Sequence, residues 1–193
     1  MPHTLKFKCS QYCQRSIVGV AGFTLIELIA VVAVIAVLAA VAAPSYTEMR
    51  QKSATIRLAD EVHGFFLQAK SETVMRNETM KIKFIHSNSA AVDTAYKDGS
   101  WVLALLPKTS TATTVSAANN EAISVVTGEN YKGTFIKVSR LETELDSVRG
   151  VFSSAMDVTS YVKPTKTVSV QAKSLSGRIR QCSAEEEYGY VEC

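Results

Sequence analysis

From Leu28 to Ala43 the chain carries no polar side chain, and Glu27 stands directly before this run. Counted from Phe23, the stretch would be roughly 30 Å long as an α-helix, about the thickness of a bilayer's hydrocarbon core. It is therefore just long enough to span a membrane. An ionisable group deep in lipid costs about 2.5 to 3.5 kcal/mol on insertion scales, so Glu27 calls for a partner. The chain has 193 residues, of which 47% are hydrophobic, and this leaves room for one small soluble domain beside such a helix.

A secretory signal peptide is the bland alternative. It would have a short apolar core followed by a small-x-small cleavage site, and Ala40-Val41-Ala42 has that form just before Pro44. Here, however, the apolar run is longer than such a core, and a glycine, Gly22, lies before the run. Lys6, Lys8 and Arg15 precede the run with no Asp or Glu among them, a flank that tends to stay cytoplasmic and so directs the rest of the chain outward.

The string Gly22-Phe23-Thr24-Leu25-Ile26-Glu27-Leu28, with its short basic leader and the apolar helix behind it, resembles the processing and assembly signal of type IV pilins and type II secretion pseudopilins. The resemblance implies that a prepilin peptidase cuts between Gly22 and Phe23 and that the new amino terminus at Phe23 is methylated. It also implies that Glu27 pairs with the amino terminus of a neighbouring subunit in a filament. Gln68-Ala69-Lys70-Ser71-Glu72-Thr73 is similar to the Ala-Arg-Ser-Glu-Ala segment of the GspH/FimT (FimU-like) branch of minor pilins, and departs from it at Lys70 and Thr73. Four segments follow from this: a cleaved leader over 1–22, a transmembrane and assembly helix over 23–43, an amphipathic continuation over 44–77, and a β-sheet head over 78–193.

Of 21 basic residues three lie in the leader, so the mature chain would hold 18 against 18 acidic ones and be neutral overall. Cys9 and Cys13 would leave with the leader. Cys182 and Cys193 would remain on the outer, oxidising side. A disulfide between them would stabilise by about 3 kcal/mol in the chain-entropy model. Two free thiols or a metal site are the alternatives, although two cysteines without nearby histidines make a poor ligand set.

Beyond Pro44, which should kink the helix, Ile56, Ala59, Val62, Phe66 and Ala69 recur at three- and four-residue steps. Arg57, Asp60, Glu61, Lys70 and Glu72 fill much of the other face, so one helix is predicted from about Phe23 to Arg76. Period-two or continuous apolar patterns predict strands over Met80–Ile85, Trp101–Leu106, Ala122–Val126, Thr134–Val138, Thr167–Ala172 and Arg178–Gln181. The Ser-, Thr-, Ala- and Asn-rich stretch from Lys108 to Asn120 reads as a surface loop. Burial demands that the sheet cover the amphipathic half of the helix. The fold class is thus α+β, a long amino-terminal helix whose second half packs on an antiparallel sheet.

No local arrangement of residues points to an enzyme, a cofactor or a metal. His63 falls in the helix and His86 at a strand end, neither beside a nucleophile. One anomaly remains. Between Val158 and Ala184 there is no acid, but there are Lys163, Lys166, Lys173, Arg178 and Arg180, closed by Glu185-Glu186-Glu187. If Gly177-Arg178-Ile179-Arg180 begins a strand, both guanidinium groups share one face, spaced to reach phosphates along a backbone. The string resembles the Gly-Arg-x-Arg motif through which FimT-type minor pilins bind DNA. An ordinary exposed hairpin has the same appearance, and the nearby glutamates would weaken the field.

The functional expectation is a minor pilin that joins or primes a type IV pilus or a related pseudopilus. Its partners would be other pilins, the prepilin peptidase and the bacterial inner membrane, with the head in the periplasm. The alternatives are a DNA-binding minor pilin for natural transformation and a GspH-like pseudopilin for protein secretion.

Overall fold

The computed structural model describes residues 22–193. The leader lies outside the described residues except for Gly22, and with it lie Lys6, Lys8, Cys9, Cys13 and Arg15. Two compact units divide the chain at the Ala43–Pro44 junction. Helix α1, Leu25–Arg76, contributes to both in sequence.

In the first unit, Gly22, Phe23 and Thr24 precede the helix, and every residue from Leu25 to Ala43 is helical and exposed. The most apolar 18-residue window of α1 has a mean hydropathy of 3.0, and none of it is buried.

The second unit is α+β. Its strands are β1 (Met80–His86), β2 (Ala95–Tyr96), β3 (Trp101–Pro107), β4 (Ser124–Thr127), β5 (Phe135–Val138), β6 (Glu142–Leu145), β7 (Met156–Lys163), β8 (Lys166–Ala172) and β9 (Ile179–Ser183). They form two sheets where the sequence suggested one: a four-stranded sheet ordered β4-β3-β1-β6 and a five-stranded sheet ordered β2-β5-β7-β8-β9. All of these pairings are antiparallel.

Both sheets face the same helix stripe. Leu58, Ala59, Val62, Phe65, Phe66 and Ala69 of α1 share one core with Ile82, Phe84, Leu103 and Leu105 of the first sheet and with Ile136, Val158, Val168 and Val170 of the second. The stripe differs from the predicted one at its start. Thr55 is buried and Ile56 only half-buried, because a buried arc through 55, 58, 62, 66 and 69 leaves position 56 at its edge. Thr55 and Thr73 fit this apolar face because each hydroxyl donates one turn back, to the carbonyls of Gln51 (3.0 Å) and Ala69 (2.7 Å).

The predicted loop over Lys108–Asn120 contains a second helix, α2 (Val115–Glu121). Its cause lies in β3, which is buried on both faces. Trp101, Leu103 and Leu105 point to the α1 core, whereas Val102, Ala104 and Leu106 form a second cluster with Ala112 and Ala118. That second face needs a cover, and α2 supplies it. Thr114 starts the helix by accepting the Ala117 N–H at 3.2 Å.

Trp101 is seated against Gly128. A Cβ at position 128 would lie 2.5 Å from the indole Nε1, closer than side-chain atoms approach. Gly128→Ala is therefore expected to cost about 1 to 3 kcal/mol through overpacking. A shift of the urea midpoint to lower concentration would register it, and an unchanged midpoint would mean that the indole can move aside.

Candidate assembly site

The site begins where the exposed helix begins. Thr24 precedes the first helical residue, and its hydroxyl accepts the Glu27 N–H at 3.3 Å while its carbonyl accepts the Leu28 N–H at 3.2 Å. Thr24-Leu25-Ile26-Glu27 has the spacing of a helix-start capping box, a signal that hydropathy alone overlooks. Because Thr24 takes the Glu27 amide, the helix starts at Leu25, three residues after Gly22. Gly22 and Phe23 lie outside the helix and are exposed.

Glu27 is exposed among exposed apolar neighbours, including Ile26, Leu28, Ile29 and Val31. An apolar helix surface of this extent is not left to water by a soluble chain. Either lipid or the helices of other molecules must cover it. Within this segment Glu27 is the single ionisable group, and it projects from the first turn, where the helix dipole favours a negative charge.

The carboxyl-terminal end of the head forms a second region. Cys182 of β9 and Cys193 are joined in a disulfide with Cα atoms 5.0 Å apart. The segment between them folds back beside β9. The Ser183 N–H donates to the Val191 carbonyl at 2.9 Å, and the Cys193 N–H donates to the Ser183 carbonyl at 3.0 Å. Two tyrosines of this segment reach α1, Tyr188 near Thr55 and Tyr190 near Asp60. Burial first, and the Asp60 charge second, push the Tyr190 hydroxyl above its usual range. Burial likewise raises Tyr188, partly offset by the ammonium of Lys166.

The five cations expected near DNA fall into two groups, Lys163 and Lys166 at the tip of the β7–β8 hairpin and Lys173, Arg178 and Arg180 at the other end of β8. Lys163 pairs with Glu48 at 3.8 Å, Lys166 with Glu187 at 3.5 Å and Lys173 with Asp157 at 3.9 Å. Arg180 donates from Nε and Nη2 to the Gln171 Oε1, at 3.0 and 2.9 Å, and from Nη2 to the Cys193 main-chain oxygen. Arg178 does not share β9 with it. It is exposed in the turn before the strand, and among the described residues it has no ion-pair partner. The pair expected from Gly-Arg-x-Arg is therefore unequal: Arg178 is exposed, whereas Arg180 is engaged by Gln171 and the Cys193 main chain.

Lys70, one of the two departures from the minor-pilin segment, has a structural task. Its ammonium donates to the Gly177 carbonyl at 3.2 Å. A Cβ on Gly150 would come within 3.0 Å of its Cε. Gly150 and Gly177 both adopt positive φ (60° and 59°), so one lysine from α1 seats two tight turns of the head.

Two further polar groups of the head are explained by packing. The His86 Nδ1 accepts the Asn88 N–H at 3.1 Å, and its Nε2 faces Asp98 at 3.0 Å, a brace between the end of β1 and the turn before β3. Glu61 accepts from the Tyr131 hydroxyl, and burial raises its carboxyl above the ordinary range against the lowering pull of Arg57.

Two crystal structures of the type IV minor pilin FimU from Pseudomonas aeruginosa are similar to this chain. One is 14% identical with a TM-score of 0.47, covering 69% of this chain and 89% of that one. The other, from a second crystal form, is 12% identical with a TM-score of 0.44 and covers 64% and 88%. No curated protein matches the chain. Its amino-terminal segment does have a match: residues 19–43, which take in Gly22, Phe23, Thr24 and Glu27, fit the family profile described as the prokaryotic N-terminal methylation motif.

Proposed function

We propose that this chain is a minor pilin, a structural subunit and not an enzyme, that assembles into or primes a type IV pilus or a related pseudopilus. The observation that carries the reading is a coincidence within one segment: the residues that fit the methylation motif run into a helix whose apolar surface is wholly uncovered. On this reading residues 1–22 are a leader removed by a prepilin peptidase, and Phe23 becomes the methylated amino terminus. The helix anchors the subunit in the inner membrane, with the basic leader on the cytoplasmic side and the head in the periplasm. In the filament, neighbouring helices replace lipid on the apolar surface, and a neighbour's amino terminus neutralises Glu27.

Mass spectrometry of the chain purified from membranes tests the processing step. The expected amino-terminal peptide starts at methylated Phe23. A terminus at Met1 or near Pro44 would overturn the reading.

A further inference from the structure

A cleft of ≈ 410 Å³ opens on the head where the start of its helical part meets the tip of the β7–β8 hairpin. Ser45, Glu48 and Lys52 line it from the helix, Lys163 and Lys166 from the hairpin, and Tyr188 from the carboxyl-terminal segment. Lys52 and Lys166 both lie over the Tyr188 ring, at 5.6 and 5.9 Å. We propose that this cleft holds the phosphate headgroup of an anionic phospholipid, an inference that rests on the membrane anchoring argued above.

Charge argues for an anion. Three ammonium groups line the cleft, those of Lys52, Lys163 and Lys166. The carboxylates facing them are Glu48, 3.8 Å from Lys163, and Glu187, 3.5 Å from Lys166. Both are surface pairs, which bind weakly and rearrange readily. Three cations against these two acids leave a surplus positive charge, and the Ser45 hydroxyl adds a neutral donor.

Sequence position argues for lipid as the source of that anion. The first lining residue, Ser45, comes two residues after the apolar run ends at Ala43. Lys52 lies roughly 13 Å beyond Ala43 when counted along a helix. The headgroup layer adds about 5 to 8 Å to each side of the hydrocarbon core, so Lys52 starts beyond it and meets it through its side chain, which on a helix leans towards the amino-terminal end. Tyr46, exposed in the same turn as Ser45, is of the type that settles at this level.

The test uses the mature chain in nanodiscs of phosphatidylcholine alone or mixed with phosphatidylglycerol. Amine labelling is followed residue by residue by mass spectrometry. In the anionic discs Lys52, Lys163 and Lys166 are expected to react about fivefold more slowly, as befits a lysine held at a negatively charged surface, while Lys97 and Lys108 react alike in both. The double variant Lys163→Gln, Lys166→Gln should remove most of the lipid dependence at Lys52. Equal rates at Lys52, Lys163 and Lys166 in the two discs, with the chain co-eluting with both, would overturn the cleft assignment and leave the anchoring intact. Failure to co-elute with either disc would overturn the anchoring and the cleft with it. Equal protection by inorganic phosphate in phosphatidylcholine discs would mean a general anion site and refute lipid as its occupant.

Discussion

Glu27→Ala is expected to leave the chain inserted in the membrane, with its head folded, and to reduce its recovery from sheared filaments tenfold or more. The two halves of this outcome have one cause. Removing a carboxylate from an apolar segment makes insertion easier, by about 2.5 to 3.5 kcal/mol if the group sits deep. The same removal leaves the neighbouring amino terminus without its counter-charge, and breaking one side of a desolvated pair costs about 3 to 5 kcal/mol. A factor of ten needs only about 1.4 kcal/mol, so even a partly hydrated pair suffices. Head stability should not change, since no residue from 22 to 50 is buried. Quantitative immunoblotting of sheared filaments and membranes from the same cells is the measurement. Undiminished recovery in filaments would rule out the pairing role.

The second large effect belongs to the head. Phe66 is fully buried, with its ring edge-on to Phe152 at 5.8 Å and 89° and to Phe65 at 6.0 Å. It lies in the stripe on which both sheets close. Phe66→Ala should cost about 3 to 5 kcal/mol, a large share of the roughly 5 to 15 kcal/mol that holds a typical domain together. Leu67, the next residue, is half exposed, and Leu67→Ala should stay within about 1 kcal/mol. Urea denaturation of the detergent-solubilised chain separates the two. Similar midpoints for both variants would mean that the helix stripe is not the centre of the core.

The contrast between these residues also shows what could be read from the sequence. The helix was legible almost to its ends, Phe23–Arg76 expected against Leu25–Arg76 found, because its apolar spacing is long and regular. Six strands were legible for the same reason, to within a residue or two. Three were not, and two of those point hydroxyls inward. In β6 Thr143 is buried beside Leu145 and donates to the Ser154 carbonyl at 2.7 Å. In β7 Ser160 is buried beside Met156 and Val158, and its hydroxyl reaches the Thr55 carbonyl at 3.1 Å and the Val168 carbonyl at 3.2 Å. A buried hydroxyl that finds a carbonyl is stable, but in a string of letters it looks like a surface residue. The third, β2, has two residues and no period to detect.

At the candidate site the motif string and the disulfide were legible and the electrostatic features were not. Gly22, Phe23 and Glu27 lie within one short string that fits the methylation motif, and the two carboxyl-terminal cysteines are joined as the spacing allowed. The basic run was visible only as a sum. Glu48 and the Cys193 main chain come from outside the run, and the pairing of Asp157 with Lys173 and of Gln171 with Arg180 depends on strand register, so only folding brings them near.

Strand β3 has no face towards water. One side is covered by α1 and the other by α2, and both edges are paired, with β1 and with β4. At β3 an opening must break into one of two packed clusters, and the cheaper route is loss of the short α2, held by a single hydroxyl cap and a few small side chains. Native fluctuations that release α2 would uncover Val102, Ala104 and Leu106 together, an apolar strip able to join copies of the chain until α2 closes over it again.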